Sequence, residues 1–465
     1  AIGALTLLMA GAFQPDTEAV GETIGWIAAF LLASAVMLVT GASVESETLF
    51  EGAYVTDAFA RFMKVLILIG SAGALLMSFQ FLRHAKMMKF ELPVLVLLST
   101  VGMMVMVSAN DLISLYLGLE LMSLALYVLA AFRRDDVRSS EAGLKYFVLG
   151  ALSSGMLLYG ASLIYGFTGS TSFPVIASVA TSAAASNAGL IVGLVFVMVG
   201  LAFKVSAVPF HMWTPDVYEG APTPITAFFA AAPKLAAMGL LIRVVAGAFP
   251  GFLQQWQQII IVLSLASMLL GAFGAIGQTN IKRLMAYSSI GNIGFALVGL
   301  AAGTQAGVQA VLVYLAIYLA MTLGVFACIL AMQRNSDPVE DIAGLSGLYA
   351  HDGKLAFAFS ALMFSLAGIP PLAGFFGKFY VFQAAVNANL LWLAVAGVVA
   401  SVVAAFYYIR IIKVIYFDEA RAPFTHAGGG VWAVIAASMA VVVLFIASGT
   451  GLIDAALAAA KTFKL

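Results

Sequence analysis

The sequence has little charge, a single cysteine and no excess of either sign of charge. Only 9% of the 465 residues are charged, and 22 basic side chains balance 22 acidic ones, so the composition gives no indication of nucleic-acid binding. Cys328 is the one cysteine, which excludes an intrachain disulfide and a zinc or iron–sulfur site held by cysteines of this chain. The sequence has no haem, flavin or dinucleotide-binding motif. Any redox cofactor is therefore expected in another chain.

Apolar residues dominate the composition. They make up 63% of the chain, whose mean hydropathy is +1.06, and these values exclude an ordinary soluble domain. Most of the apolar segments have the roughly 17–25 residues that a membrane-spanning helix needs, and they are too long and too uniform for barrel strands. The sequence therefore predicts an all-α polytopic membrane protein with 14 transmembrane helices. The fourteen segments lie near residues 1–13, 21–42, 57–80, 92–109, 111–132, 141–166, 189–214, 222–249, 256–277, 284–302, 306–333, 354–386, 390–417 and 431–459.

Basic residues are unevenly distributed among the connections between segments. Thirteen Lys and Arg residues lie in the connections that follow odd-numbered segments. Only two, Arg61 and Lys64, lie close to a connection that follows an even-numbered segment. By the positive-inside rule, the odd-to-even connections are expected on the cytoplasmic side and both termini on the outer side. The first segment is short and starts at Ala1 without methionine, so we expect the first helix to begin before this residue.

Some charged residues fall inside the apolar segments. Lys204 follows Leu190 by 14 residues, about 21 Å of helix, and Lys234 follows Pro222 by 12, about 18 Å. Both therefore lie near the middle of a hydrocarbon core about 30 Å thick, where an ammonium group costs about 2.5–3.5 kcal/mol to insert. No polar connection is long enough for a soluble domain, so function is expected to depend on these charges. The full set is Glu120, Lys145, Lys204, Lys234, Arg243 and Lys378.

These residue types can exchange protons. Burial disfavours the charged form of a lysine and a nearby carboxylate favours it, so a Glu–Lys pair whose separation or hydration changes can bind and release a proton. A row of such lysines, joined by hydroxyl groups and water, forms a proton relay. The side chains that can supply the hydroxyl groups and an imidazole are Ser206, His211, Thr223, Thr226, Ser288, Ser289, Tyr314, Tyr318 and Thr322.

Structural roles remain open for several of these groups. Lys145 is four residues from Glu141, so it can extend to the cytoplasmic surface and pair with this carboxylate. Arg243 can form a structural ion pair or anchor its helix at the interface. His211 can be a hydrogen-bonded polar group that follows the proline. A purely structural ion pair explains Glu120, Lys204 and Lys234 less well, because three buried charged groups are more than the packing of the helices requires.

Two of the segments are interrupted by proline. Pro209 breaks the seventh segment, and the sequence GIPP, which starts at Gly368, breaks the twelfth. Lys204 lies five residues before Pro209, and Lys378 lies seven residues after Pro371. Interrupted helices at corresponding places in two halves are typical of inverted-repeat transporters, in which the ion site lies at the breaks.

Three motifs carry a resemblance to a known family. They are GLAFKVSAVPFHMWTPDVYEGAPTP, QTNIKRLMAYSSIGNIGF and SLAGIPPLAGFFGKFY. In this combination, and over residues 57 to 417, the chain resembles the antiporter-like membrane subunits of bacterial respiratory complex I, the proton-pumping NADH:quinone oxidoreductase, and among them subunit N. The resemblance implies two inverted five-helix repeats, helices four to eight and nine to thirteen, each with a broken helix, near Pro209 and near Pro370.

The resemblance also implies roles for single residues. Glu120 is similar to the fifth-helix glutamate that pairs with the seventh-helix lysine, here Lys204, and Lys145 is similar to the sixth-helix lysine. Lys234 is similar to the central lysine of the eighth helix, and Lys378 to the terminal lysine of the twelfth. The family passes protons along these residues, coupled to quinone reduction elsewhere in the complex. Together with the histidine of the first motif, these five residues are the candidate site.

The resemblance further implies a translocase subunit without a cofactor of its own, in a complex that uses FMN, iron–sulfur clusters and quinone. The expected partners are a neighbouring antiporter-like subunit, small helical subunits and lipids. The expected location is the bacterial plasma membrane rather than the mitochondrial inner membrane. The expected organisation is three helices in residues 1–90, the two repeats in 91–250 and 251–420, and a last helix in 421–465.

Other functions remain open. A subunit of a multi-subunit Na⁺/H⁺ antiporter shares these motifs and would exchange sodium for protons without an electron donor. A membrane hydrogenase subunit is a further alternative. A scaffold without transport function is the least consistent with the buried charges.

Overall fold

The computed structural model describes residues 1–42, 45–180, 188–334 and 337–463. Within these ranges the chain is built mostly of helices, as expected of apolar segments whose backbone groups must bond to one another in the absence of water. Two short antiparallel strand pairs lie in connections. They are β1 (Glu47–Leu49) with β2 (Tyr54–Thr56), and β3 (Gln333–Arg334) with β4 (Asp337–Pro338).

Nineteen α-helices are present in the described residues. The first eleven are α1 (Ile2–Ala12), α2 (Glu18–Gly41), α3 (Ala58–His84), α4 (Glu91–Val107), α5 (Leu112–Ala130), α6 (Val137–Thr168), α7 (Phe173–Ala180), α8 (Ala188–Val205), α9 (Thr214–Gly220), α10 (Thr223–Ala230) and α11 (Ala232–Arg243). The other eight are α12 (Leu253–Ile276), α13 (Ile281–Ala301), α14 (Gln305–Leu330), α15 (Gly353–Ala367), α16 (Ala373–Asn387), α17 (Leu391–Phe417), α18 (Gly429–Ser448) and α19 (Thr450–Ala460). A π-helical turn, Val244–Ala248, extends α11.

Polar residues cap the start of many helices. The Asp57 carboxylate accepts a hydrogen bond from the Ala60 N–H at 2.7 Å where α3 begins, and Asn280 accepts one from the Lys282 N–H at 2.9 Å where α13 begins. Such caps satisfy backbone donors that the first helical turn leaves free. They therefore mark where the apolar runs enter the helical core. The same role is filled by Thr17, Asp111, Asp136, Thr304 and Asp352.

Eleven helical segments of the described chain are long and apolar enough to cross a membrane. They correspond to eleven of the fourteen segments predicted from the sequence. The first, fourth and twelfth predicted segments form shorter helices: α1 has 11 residues, α4 has 17, and α15 and α16 have 15 each. The mostly helical membrane architecture is confirmed, whereas the count of fourteen spans stays a prediction.

The innermost helices carry the site. In the segment that contains α10 and α11, every residue of the most apolar stretch is buried, and in α13 and α14 the buried share of this stretch is 94%. The corresponding share is only 28% in α2 and 33% in α18. Lys234 thus lies on a helix that other helices enclose on every side. A helix enclosed in this way has no contact with water except where polar groups bind it. The hydrogen-bond partners of each buried charged side chain therefore decide whether that side chain can gain or lose a proton.

The two breaks predicted from proline are present. Helix α8 ends at Val205 and α9 begins at Thr214, on either side of Pro209, while α15 ends at Ala367 and α16 begins at Ala373. Proline lacks the N–H that would continue each helix. A further break between α10 and α11, at Ala231, and the separate short helix α7 were not predicted from the sequence.

Arg243 has a structural role, in agreement with one of the two interpretations of the sequence. Its guanidinium forms a two-pronged ion pair with Asp57 on α3, at 2.6 and 2.9 Å, and donates to the Val107 carbonyl at 3.0 and 3.2 Å. Both side chains of the ion pair are almost fully buried. A buried pair needs this degree of hydrogen bonding to offset its desolvation.

Candidate functional site

Lys204 lies in the last turn of α8, immediately before the first break, and faces α5. Its Nζ donates to the Ser123 hydroxyl at 2.7 Å and to the Tyr127 hydroxyl at 3.2 Å. Its side chain is buried, so these two hydroxyls replace the water that an exposed ammonium would have. The proline break ends α8 at this point and leaves the lysine at the negative end of a helix dipole, which stabilises a cation.

Glu120 lies one helical turn before Ser123 on the same face of α5. It accepts a short hydrogen bond from the Ser154 hydroxyl on α6. No ion pair within 4.0 Å joins Glu120 to Lys204 in the part of the chain that the structure describes. The direct pair implied by the resemblance is therefore not formed here. Ser123 is the partner of Lys204 and Ser154 is the partner of Glu120, so each charged group has its own hydroxyl partner.

Lys145 is part of a surface network rather than of the buried set. Its Nζ contacts Glu141 at 2.7 Å and Asp216 at 2.8 Å, and its side chain is 41% exposed. The sequence-based interpretation of a surface pair with Glu141 is confirmed. Asp216, on α9, also accepts from Arg283 at 2.7 Å. Burial acts to raise the pKa of Asp216, but the hydrogen bonds from Lys145 and Arg283 outweigh it and hold this pKa below its ordinary value.

Lys234 is the most deeply buried of the candidate lysines. Its Nζ donates to the Ser289 hydroxyl of α13 at 2.5 Å and lies 5.1 Å from the centre of the Tyr218 ring. Ser289 in turn shares a hydrogen bond of 2.7 Å with the Tyr318 hydroxyl on α14. The described residues place no carboxylate within ion-pair distance of Lys234. A buried ammonium with hydroxyl partners and no counter-charge can lose its proton more readily than a paired one.

Lys378 lies on α16, just after the second break, and reaches back across it. Its Nζ donates to the carbonyls of Leu366 and Ala367 at 3.0 and 3.1 Å, and to the Ser401 hydroxyl on α17 at 2.8 Å. The two carbonyls end α15 and have no helical partner, so the ammonium caps the negative end of that helix. In sequence, Lys204 precedes its break and Lys378 follows its break. In space, each side chain lies at the carboxyl end of the helix that precedes the break.

Helix α13 connects the neighbourhoods of Lys234 and Lys378. Ser289 contacts Lys234, and the ring of Phe295, six residues or about 9 Å further along α13, lies 4.7 Å from the Lys378 Nζ. Asn292 lies between them and accepts a hydrogen bond of 2.7 Å from Tyr314. Around it, Ser288 and Tyr408 share a hydrogen bond of 2.6 Å. Hydroxyl and amide groups therefore occupy part of the interval between the two lysines.

His211 is not brought to the lysines. It lies in the break between α8 and α9, half-buried, and its Nδ1 has no hydrogen-bond partner in the described residues. Its backbone carbonyl accepts a hydrogen bond from the Thr214 N–H at 2.9 Å. The predicted role of His211 stays a prediction.

Several residues of the site were missed from the sequence. Ser123 and Tyr127 follow Glu120 by three and seven residues, so helical spacing could have identified them. Ser401 and Tyr408 come from α17, more than twenty residues from any lysine of the site, and no local pattern indicates them. The described residues contain no group of three His, Cys, Asp or Glu side chains that could hold a metal.

Comparison with known proteins agrees with this geometry. The family model described as NADH:quinone oxidoreductase/Mrp antiporter, TM, matches residues 109–404, a region that contains all six site residues expected from the sequence. A relative named NADH-quinone oxidoreductase subunit N, from Parvibaculum lavamentivorans, is 60% identical over 91% of this chain and 87% of its own length. The relative of that name from Rhodospirillum rubrum is 56% identical over 99% and 95%. The chain belongs to the subunit N family of NADH-quinone oxidoreductases.

Solved structures agree with this family. A chain of respiratory complex I from Thermus thermophilus, determined with bound aureothin, is 32% identical and superposes with a TM-score of 0.83 over 97% of both chains. A chain of the Mrp complex from Dietzia sp. has a TM-score of 0.87 over 99% of this chain and 96% of its own, but at 24% identity it shows only that the fold is shared. The resemblance found in the three motifs is therefore confirmed, and proton translocation follows from membership of the family.

Proposed function

We propose that this chain is a proton-translocating membrane-arm subunit of NADH:quinone oxidoreductase, driven by quinone reduction in other subunits. In this proposal Glu120 and Lys204 form the input switch, and Lys204, Lys234 and Lys378 pass the proton laterally. The chain would bind no redox cofactor itself and would contact a neighbouring antiporter-like subunit, small helical subunits and lipids. It would lie in the bacterial plasma membrane with both termini on the outer side.

One observation carries this proposal. Three lysines are buried in the helical core, each held by hydroxyl or carbonyl oxygens and none by a carboxylate within ion-pair distance in the described residues. A structural lysine in hydrocarbon needs a counter-charge, as Arg243 has in Asp57. Lysines without one can alternate between charged and neutral forms at modest cost, which is what a relay requires.

The proposed switch acts through Ser123. When Lys204 carries a proton, its ammonium can turn from Ser123 towards Glu120, which lies one turn away on α5. Contact with the carboxylate would stabilise the proton on Lys204, and separation would release it towards Lys234. The hydrogen bonds from Ser154 to Glu120 and from Lys204 to Ser123 support this proposal, because each charged group has a partner when the two are separated.

The same proposal includes the arrangement of the helices. Two inverted five-helix repeats, in residues 91–250 and 251–420, would form a bundle of 14 spans together with three preceding helices and one following helix. The broken helices α8–α9 and α15–α16 support it, because each break has a lysine at the carboxyl end of its first half.

The test compares Glu120→Gln with Glu141→Gln in native membranes. Both changes remove one carboxylate from residues 91–250, but Glu141 is 56% exposed and, in the described part of the chain, its ion pair is with the surface Lys145. We expect NADH-driven quinone reduction and formation of a pH gradient to fall together in Glu120→Gln, and to stay near normal in Glu141→Gln.

Two results would contradict the proposal. One is unchanged pumping in Glu120→Gln, and the other is normal pumping stoichiometry in both Lys204→Ala and Lys234→Ala. Sodium-dependent proton exchange in vesicles without an electron donor would instead support the antiporter function.

A further inference from the structure

A polar cleft lies outside the proposed relay, on the face that carries the basic connections. Its volume is about 520 Å³, and its walls come from the start of α6, the end of α9, the start of α10, the start of α13 and the chain at 338–341. Charged side chains of both signs line it: Arg133, Asp136, Arg138, Glu219, Lys282, Glu340 and Asp341. A cleft of this size and polarity holds water, so it brings solvent to the junction between the two halves of the chain.

Lys282 and Glu340 form the inner wall of this cleft. The Lys282 Nζ lies 2.6 Å from the Glu340 carboxylate, and the lysine side chain is only 3% exposed while that of Glu340 is 24% exposed. The same carboxylate accepts from the Asn280 amide at 3.3 Å and from the Thr223 hydroxyl at 3.4 Å. Glu340 therefore contacts both the solvent of the cleft and the groups that close its floor.

A series of contacts leads from this wall to Lys234. The Lys282 Nζ donates to the Ala221 carbonyl at 2.9 Å, which also accepts from the Thr226 hydroxyl at 3.3 Å. Thr226 bonds in turn to the Tyr218 carbonyl at 3.0 Å, and the Tyr218 ring covers the Lys234 Nζ. The hydroxyl of Tyr218 is buried, so the interior beside Lys234 contains a further polar group.

The spacing of residues along α13 agrees with a path from Lys282 towards Lys234. Ser289, the partner of Lys234, follows Lys282 by seven residues, which is two helical turns on the same face and about 10 Å. A few water molecules can cover such a distance. The cleft is thus a polar space whose inner wall lies about two helical turns from the hydroxyl partner of Lys234.

We propose that Glu340 is the residue that takes up protons for Lys234, and that Lys282 closes the passage behind it. This inference rests on the proposed relay through Lys234. A proton from water in the cleft binds a Glu340 carboxylate oxygen, and the ion pair with Lys282 is lost. The freed ammonium turns towards the cleft and uncovers the Ala221–Thr226 floor. The proton then passes through water to the neutral amine of Lys234, which becomes an ammonium, and the regenerated carboxylate draws Lys282 back.

Other charged side chains lie in the cleft around the Glu340–Lys282 pair. The titratable and charged groups that face the pair are Arg133, Asp136 and Arg138 from the start of α6, Glu219 from α9, and Asp341 from its own segment.

The test uses the assembled complex in inside-out membrane vesicles with Glu340→Gln, Glu340→Asp and, as a matched control, Asp341→Asn. Gln keeps the size of the side chain and can still accept hydrogen bonds at its one amide oxygen, but it cannot bind and release a proton. Asp keeps the exchangeable proton. Asp341 lines the same cleft one residue away and caps a helical turn through the Ala343 N–H, a role that Asn can fill.

The readout is the pH gradient formed per NADH oxidised, at equal amounts of complex, between about pH 6 and pH 8. We expect Glu340→Gln to lower it roughly tenfold near pH 8 and less near pH 6, because a relay group matters most when free protons are scarce. Glu340→Asp is expected to keep most of the pumping, and Asp341→Asn to match the unsubstituted complex.

Three results would overturn this assignment: an unchanged pH profile in Glu340→Gln, an equal loss in Glu340→Gln and Glu340→Asp, or an equal loss in Asp341→Asn. The last two would show that the cleft is only structural. Failure here is distinct from failure of the relay, which the Lys204→Ala and Lys234→Ala variants measure independently.

Discussion

The polar partners of Arg243, Lys282 and Lys234 differ in chemistry, and the difference separates two paired cations from a proposed relay lysine. Arg243 and Lys282 have carboxylates at 2.6 Å, whereas Lys234 has the Ser289 hydroxyl and no carboxylate within ion-pair distance among the described residues. A carboxylate fixes the charge of a buried cation, and a hydroxyl tolerates both of its protonation states. Partner chemistry, more than depth in the membrane, thus indicates which lysine can carry a proton.

Ser289 is the residue at which this argument can be tested directly. Its hydroxyl joins Lys234 to Tyr318, so Ser289→Ala leaves a buried ammonium and a buried phenol without this link. A hydrogen bond to a charged group contributes about 1.5–3 kcal/mol, so we expect the coupled pumping rate to fall roughly tenfold or more. The measurement is the initial rate of NADH-driven acidification at equal amounts of complex.

Ser264→Ala is the control for this prediction. Ser264 is equally buried on α12, but among the described residues its hydroxyl donates to the Gly294 carbonyl, at 2.8 Å, and to no lysine of the relay. It should pump normally with a small loss of stability. Equal rates in the two variants would show that Ser289 serves packing and not proton transfer.

Much of the site was predictable at this scale, because burial depth follows from counting residues along a helix. Lys204, Lys234 and Lys378 were found to be buried as expected, and the surface pairing of Lys145 was foreseen. The hydroxyl partner of Glu120 was not foreseen, since the resemblance implied a direct pair with Lys204 and Ser154 lies on another helix. Which hydroxyl reaches a lysine depends on packing between distant helices, and no sequence pattern records it.

At the scale of elements, the broken helices are what bring backbone carbonyls into the site. The carboxyl end of α15 supplies two carbonyls to Lys378, and an unbroken helix would have used both internally. Gly368 makes this close approach possible. Its φ is +87°, and a Cβ at this position would lie 3.0 Å from the Lys378 Cδ and 3.3 Å from Nζ.

Gly368→Ala is therefore expected to displace the Lys378 ammonium. The left-handed backbone costs an alanine about 1–2 kcal/mol, and the added methyl group also pushes on the lysine. We expect pumping per assembled complex to fall severalfold, in addition to a lower thermal stability. The measurement pairs acidification rates with thermal unfolding of the purified complex.

Gly169→Ala separates these two effects. Gly169 has φ +70° at the end of α6, and a Cβ there would meet no heavy atom within 4 Å. This variant should lose a similar amount of stability while pumping normally. If Gly368→Ala also pumps normally, the position of Lys378 at the helix end is not important for transfer.

The elements themselves were predictable where the sequence contains a strong local signal. Pro209 and the GIPP sequence marked both breaks, because proline removes a helical donor wherever it occurs. The break at Ala231 was missed although Pro233 follows it, since a proline in the first turn of a helix is equally compatible with an unbroken run. The short helix α7 was missed because its eight residues are too few for a span.

At the scale of the whole molecule, α13 and its surroundings couple the two halves. Near one end, Lys282 and Arg283 contact the end of α9 and the network of Asp216, and further along Ser289 and Phe295 contact Lys234 and Lys378. A shift of this one helix would change the surroundings of the cleft and of both lysines together. Such coupling depends on the tertiary arrangement, and the sequence alone indicated only the separate motifs.

The buried pair of Arg243 and Asp57 has a different part in the assembly. It joins α11 to α3, and the guanidinium also lies 5.5 Å from the ring of Phe463 near the end of the chain. Removal of one partner from a buried ion pair costs about 3–5 kcal/mol, because the other charge stays in the core alone. We expect Arg243→Met to reduce the amount of assembled complex sharply, as measured by quantitation of this subunit in membranes.

The pumping rate per assembled complex distinguishes a structural role of Arg243 from a role in proton transport. Asp57→Asn combined with Arg243→Met removes both charges and keeps the capping oxygen of α3, so it should recover part of the lost assembly. Arg83→Met breaks an exposed pair with Glu22 that is 3.6 Å long and should have little effect. If Arg243→Met instead assembled normally and pumped poorly, the arginine would belong to the proton path, and the contrast between paired and unpaired cations would no longer identify the relay.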